Sequence, residues 1–147
     1  MSWQLEVAAR TLCQEARGEP IEGQQAVAYV IKNRLSDGRW GNSLASVCLW
    51  HAAFSGWWCP RGKPSYHDPN FAYACSLADN DPMLSHMCSV MQAALDSEKD
   101  PTGGATHYYA PVGTREPDWV AGDPAHGIPA AIFCGKFGHQ LFYRGVK

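Results

Sequence analysis

The stretch 12-LCQEARGEP-20 decides how this chain is read. It joins the end of one helical pattern to the start of another across Gly18, and it carries three acids. Upstream, residues 3 to 17 have helical periodicity, with Leu5, Leu12 and Ala16 on one stripe and Glu6, Arg10 and Arg17 opposite. Gly18 reads as the helix stop, because glycine is the usual residue after a helix. Downstream, 19-EPIEGQQAVAYVIKNRL-35 begins a second helix. Pro20 suits its first position, Glu19 and Glu22 suit its positive end, and Ala26, Val27, Val30 and Ile31 form its buried face.

Glu15 is the unusual acid. At about 100° per residue it lies about 20° from Ala8 and about 60° from Leu12, on the rim of the apolar stripe. It also falls in the last turn, where backbone carbonyls present partial negative charge. Partial burial and that helix end both disfavour a carboxylate, so both raise the affinity for a proton. Glu19 and Glu22 sit at the opposite kind of helix end, which favours their ionised forms. A carboxyl kept protonated beside ionised ones is what general acid catalysis near neutral pH needs. The competing reading is a rim acid paired with Arg34 or a lysine, since structural ion pairs also perturb proton affinity.

Outward from this motif the helical character continues. Residues 42-NSLASVCLW-50 form a short helix capped by Asn42 or Ser43. Residues 55 to 69, rich in Gly, Pro and aromatics, read as a long loop. Segments 70-NFAYACSLADN-80 and 81-DPMLSHMCSVMQAALDSE-98 read as two more helices, the second started by Asp81 and Pro82. After residue 100 the character changes. Segments 106-THYYA-110 and 130-AAIFCGKFGHQLFYR-144 read as strands, with a hairpin turn between Gly135 and Gly138. The expected fold is α+β, mainly α-helical, one domain over residues 1–147 with a small β element near the C-terminus.

Composition narrows the function classes. The chain has 147 residues, 46% hydrophobic and 18% charged, with a net charge of −2. Scattered Lys and Arg and a slight negative charge argue against nucleic acid as a partner. No apolar run approaches the ~20 residues that span a bilayer, so no transmembrane segment is expected. The first ten residues lack the basic start and apolar core of a secretory signal, so synthesis in the cytoplasm is expected. Six cysteines and six histidines are present without a CxxC pair. Cys48 with His51, and His86 with Cys88, are the nearest to metal spacing, but structural zinc sites show two tighter ligand pairs. Buried thiols, or one or two disulfides, are expected instead, with no metal and no cofactor.

The segment 13-CQEARGEPIEGQQAVAYVIKNRL-35 resembles the SleB/CwlJ-type cell-wall hydrolases, the spore-cortex-lytic family, whose hallmark is E-A-R-G-E followed by a helix ending in N-R. Segments 42-NSLASVCLWHAAFSGW-57, 100-DPTGGATHYYAP-111 and 135-GKFGHQLFYR-144 are similar to it in order and spacing. The resemblance implies a lysozyme-like catalytic domain acting on the β-1,4 bond between N-acetylmuramic acid and N-acetylglucosamine of peptidoglycan glycan strands. It makes Glu15 the catalytic acid. Glu19, Phe54, Ser55, Trp57, Tyr108 and Tyr109 are then the expected substrate-binding residues. Tyr108 and Tyr109, adjacent in a strand, face opposite sides, one in the core and the other on a sugar or near Glu15. Trp40, Trp58 and Trp119 are candidate sugar platforms, whereas His107 and His139 read as structural histidines.

A lytic transglycosylase needs only this one acid, whereas a hydrolytic muramidase usually adds a second, for which Glu19 and Glu22 are available. A zinc-dependent amidase or peptidase and a non-catalytic wall-binding module are the rivals of other classes. Without a signal or wall-binding repeat, the chain is expected to be a monomeric phage endolysin, made in the host cytoplasm and reaching the wall after release, with a bacterial wall-remodelling enzyme as the alternative. Residues 58–90 depart from the family pattern, with Cys59, Cys75, Cys88, His67 and His86 concentrated there.

Overall fold

Helix α1 runs from Trp3 to Ala16, started by Ser2, whose hydroxyl accepts from the Leu5 N–H at 3.3 Å. In this computed structural model, which describes residues 1–50, 53–57 and 68–147, α1 is the element against which the other helices pack. Its buried face is largely alanine, Ala8, Ala9 and Ala16 with Leu12 and Cys13, so neighbouring helices can approach closely. Helix α2 (Ile21–Asp37) follows after Gly18 and ends at Gly38, which takes the left-handed conformation at φ +85°. Its buried face contains the expected Ala26, Val27, Val30 and Ile31.

Helix α3 (Leu44–Leu49) is capped by Ser43, which exchanges hydrogen bonds with Ser46 and so decides between the two expected caps. A 3₁₀ turn spans Ser55–Trp57. Helices α4 (Pro69–Ser76) and α5 (Pro82–Asp96) both begin with an Asp-Pro pair, Asp68 and Asp81 accepting backbone N–H bonds. Leu84, Met87 and Met91 of α5 join Leu12, Ile31 and Phe142 in the fully buried core.

The late β element is a three-stranded antiparallel sheet of β1 (His107–Tyr109), β2 (Ile132–Phe137) and β3 (Gln140–Arg144), in the order β1-β3-β2. The hairpin turn falls at Gly138 and His139 rather than between Gly135 and Gly138. Gly135 lies inside β2, where the register shifts between Phe133 and Gly135, so the glycine serves a bulge and not the turn. A one-turn helix α6 (Asp118–Ala121) and a 3₁₀ turn at Pro124–His126 occupy the connection from β1 to β2, where no helix was expected.

Polar ties fix the sheet to the helices. The hairpin docks on the opening motif, because Glu19 Oε2 accepts the His139 N–H at 2.9 Å and lies 2.9 Å from its Nδ1. Gly138, at φ +61°, makes this possible: a Cβ there would overlap Glu19 Oε2. Lys32 donates to the Ala94 and Leu95 carbonyls at the end of α5, which have no partner within the helix. Asn33 donates to Asp100 at 2.8 Å and to the Ala105 carbonyl at 2.9 Å. Asp100 also accepts from the Thr102 N–H, the Thr102 hydroxyl and the Gly104 N–H, which shapes the loop leading into β1. Burial pushes the Asp100 carboxyl up, but the bonds from Thr102, Asn33 and Gly104 outweigh it and hold it below its ordinary value.

Asp100→Ala strands those donors and should cost about 1–3 kcal/mol of stability at neutral pH. Because the folded state binds this proton less tightly than the unfolded chain, the difference from wild type should shrink as pH falls below Asp100's ordinary value of 3.8. Paired thermal melts at neutral and acid pH check both the loss and its sign.

Candidate active site

The last turn of α1 places Glu15, and β1 places Tyr108 against it. The Tyr108 hydroxyl donates to Glu15 Oε2 at 2.7 Å. The tyrosine ring stacks on Phe142 at 5.3 Å between centroids, so one residue meets both expectations, core packing and contact with the acid. Burial, with the charge of Glu15 and the bond to it, pushes the Tyr108 hydroxyl well above its ordinary value, so it remains a donor at physiological pH.

Arg34, only 6% exposed, reaches the same place from α2. Its Nε donates to the Thr106 carbonyl at 2.8 Å and its Nη1 to the Ala53 carbonyl at 3.3 Å. The guanidinium lies 4.9 Å from the ring centres of both Trp40 and Phe54. Carbonyls and rings therefore hold this cation, and among the described residues no ion pair joins Glu15 to Arg34 or to a lysine. Glu15 responds to the field without being neutralised. Burial pushes its carboxyl up, the Tyr108 bond and the Arg34 charge pull it down, and the charge of Asp68 pushes it up again. The balance lies above the ordinary carboxyl value.

Two open clefts meet this pair. Glu15 lines one of about 220 Å³ together with Gln14, Ser55, Gly56, Asp68 and Asn70. Tyr108 and Arg34 line another of about 390 Å³ whose remaining walls are Trp40, Trp50, Ala53, His107 and Trp119. His107 is packed between Trp40 and Trp119 at 5.7 and 5.2 Å between centroids. Burial first, then the charges of Arg34 and Arg39, lower its pKa to about 4, so at neutral pH it is an uncharged part of an aromatic wall.

The other expected site residues are spread more widely. Ser55 lies in the Glu15 cleft. Phe54, 2% exposed, offers almost no surface and supports Arg34 from the core. Trp57 donates from Nε1 to the Thr11 hydroxyl at 2.9 Å and packs edge-on against Phe71. Tyr109 faces away from Tyr108, against Trp119 and Tyr143. Glu19 is engaged by the hairpin, and Glu22 is exposed on α2. Trp58, His51, Cys59 and His67 lie outside the described residues.

Among the described residues no group of three or more His, Cys, Asp or Glu side chains could hold a metal ion. His86 lies 2.7 Å from the Gln24 carboxamide instead. Cys13, Cys48, Cys75, Cys88 and Cys134 are free thiols, and burial pushes Cys13 to about 11 and Cys48 to about 12, so both are inert at neutral pH.

Four residues of the Glu15 cleft, Gln14, Gly56, Asp68 and Asn70, are not among those the sequence singles out for the site. Asp68 was counted within a loop, although Asp68-Pro69 repeats the Asp81-Pro82 signal that was read as a helix start. Gln14 stood in the opening motif without a role, because nothing in its local pattern tells a buried amide from a surface one.

Residues 18–143 match the family described as cell wall hydrolase, a span beginning just after Glu15. Over 133 residues the chain is 31% identical to the spore cortex-lytic enzyme of Bacillus subtilis, covering 88% of this chain and 37% of that protein. The spore cortex-lytic enzyme of Halalkalibacterium halodurans is 30% identical, with 88% and 34% covered. The chain thus spans little more than a third of the length of these curated relatives. Its fold is similar to the catalytic domain of the Bacillus cereus SleB protein (TM-score 0.68, 24% identity, 96% of this chain and 89% of that one). It is also similar to the catalytic domain of the germination-specific lytic transglycosylase SleB from Bacillus anthracis (TM-score 0.64, 23% identity, 98% and 96%). The expected lysozyme-like, mainly helical fold with a small late sheet is therefore the one observed.

The raised proton affinity of Glu15 carries a stability consequence. The folded state binds this proton more tightly than the unfolded chain, so the ionised carboxyl destabilises the fold as pH rises past its ordinary value of 4.5. Glu15→Gln, of nearly the same shape and without the charge, should raise Tm at neutral pH by a few degrees. The gain should fade as the pH is lowered toward the ordinary carboxyl value, which calorimetry across pH would follow.

Proposed function

We propose that this chain, which belongs to the cell wall hydrolase family, cleaves the β-1,4 bond between N-acetylmuramic acid and N-acetylglucosamine in peptidoglycan, as a lytic transglycosylase with Glu15 as acid and then base. The observation that carries the reading is the Glu15 carboxyl, raised in proton affinity, bonded to Tyr108 and lining a cleft. The names of its relatives, spore cortex-lytic enzymes and a lytic transglycosylase, point the same way.

The geometry distributes the steps. Tyr108 donates to Oε2, which leaves Oε1 of Glu15 to carry the proton. That proton passes to the glycosidic oxygen as positive charge builds on the muramoyl ring. The substrate's own acetamido oxygen closes on C1, so no second carboxylate is required. Glu15, now ionised, is steadied by the Tyr108 donor and the nearby Arg34 charge. It then takes the proton of the 6-hydroxyl as that oxygen attacks C1 and displaces the acetamido oxygen, which forms the 1,6-anhydro ring, regenerates the acetamido group and restores the acid. The cleft walled by Trp40, Trp50 and Trp119 offers flat apolar faces on which pyranose rings stack. Ser55 and Asn70 offer hydrogen bonds beside the acid.

A second reading, hydrolysis, is favoured by one observation: Asp68 shares the Glu15 cleft, whereas Glu19 is tied to the hairpin. In that reading the Asp68 side chain is the second acid, which activates the water. The place of action is the wall or cortex in either case. No described helix is long and apolar enough to cross a membrane.

Digestion of purified peptidoglycan with mass analysis of the products tests this reading. Wild type should release fragments with anhydromuramoyl ends, and Glu15→Gln should be slower by about 10²–10⁴-fold. Free stem peptides, or activity lost to chelator, would instead identify an amidase, and binding without fragments a wall-binding module. Asp68→Asn keeps the helix cap, since asparagine caps as well as aspartate, and removes the charge. It should leave anhydro products in place under transglycosylation and abolish reducing-end products under hydrolysis.

A further inference from the structure

We propose that the carboxamide of Gln14 is a substrate-binding group of the Glu15 cleft that holds the acetamido group of an N-acetylated sugar. The inference rests on the glycan-cleaving reading above and names a residue that reading does not use. Gln14 is 8% exposed, and neither its Nε2 nor its Oε1 has a hydrogen-bond partner among the described residues. It nevertheless lines the same cleft as Glu15, Ser55, Asp68 and Asn70. Gly56 closes over it: a Cβ at position 56 would overlap Gln14 Oε1, so the glycine leaves the space that the amide occupies.

An amide withdrawn from water with both polar atoms idle is unfavourable, and folded proteins keep few of them. An apolar side chain of the same length would avoid that loss on this helix, whose other buried residues are mostly apolar. The arrangement is explained if the missing partner arrives with the ligand. A carboxamide offers donors and an acceptor, and an acetamido group offers one of each. Gln14 immediately precedes Glu15 in the last turn of α1 and lines the same cleft, so a sugar held at Gln14 has its ring beside the acid. A site built this way discriminates strongly, because a sugar lacking the acetamido group leaves the buried amide unpaired.

The test uses the full chain. In the Glu15→Gln background, which allows binding without turnover, an N-acetylglucosamine oligomer and the matching glucosamine oligomer are titrated. Adding Gln14→Met should weaken binding of the acetylated oligomer by about 10-fold and leave the other unchanged. In the otherwise native chain Gln14→Met should lower kcat/KM on peptidoglycan while Tm holds or rises. Unchanged affinity and unchanged kcat/KM would overturn the assignment, as would a fall in Tm with full activity per folded molecule, the mark of an amide serving only the fold. If Gln14→Met does not fold, the Gln14 side-chain amide resonances are followed by NMR in Glu15→Gln. They should move with the acetylated oligomer and not with glucosamine oligomer, and silence with both overturns the proposal. Loss of the wider reading would look different, as wild type that releases no glycan fragments.

Discussion

The hydrogen bond from Tyr108 to Glu15 is the contact on which the rest of this structure converges. It joins the end of α1 to the first strand of the sheet across most of the chain. A bond of 2.7 Å between side chains so distant in sequence demands that both backbones be fixed, and each end is held separately. Phe142 stacks beneath the tyrosine, Asp100 and Asn33 shape the loop that delivers β1, and Arg34 grips the Thr106 carbonyl just before it. On the other side, Glu19 receives the hairpin turn and ties the sheet to the chain immediately after α1. Helix and sheet thus meet at two places that bracket Gly18.

The same surroundings serve both protonation states of the acid. Burial and the charge of Asp68 favour the protonated form, while the Tyr108 donor and the Arg34 charge favour the ionised form. Direct pairing with Arg34 would have fixed the carboxylate permanently. The guanidinium is instead spent on two carbonyls and two aromatic faces, so its influence on Glu15 is through space and moderate. An acid that must give and later recover a proton needs this intermediate environment.

Much of this was legible in the sequence where the determinants are local. The apolar stripe of residues 3 to 17, the Asp81-Pro82 start and the buried face of α2 depend on neighbours within a turn or two. Glu15 stood out for the same reason, since its place on the stripe and in the last turn follows from spacing alone. Partners distant in sequence were not legible. Alternation along β1 separates Tyr108 from Tyr109 but cannot say which one meets Glu15, and nothing near Arg34 reveals that carbonyls from two other segments claim it. Gly135 was misread because a bulge and a turn use the same residue for the same conformational freedom. The one-turn α6 has too few residues for a periodicity to appear.

The cleft also reassigns the acids of the opening motif. Glu19 and Glu22 looked available as second carboxylates only because they were near Glu15 along the chain. In space Glu19 faces the hairpin and Glu22 faces solvent, while the acid that shares the cleft with Glu15 is Asp68, at the start of α4. Asp68 already serves the first turn of α4, accepting the Asn70 and Phe71 N–H groups through one oxygen. Among the described residues its other oxygen accepts no hydrogen bond. After burial, the charge of Asp68 is what opposes ionisation of Glu15. Variation there can tune the acid's proton affinity without touching the helix that carries it.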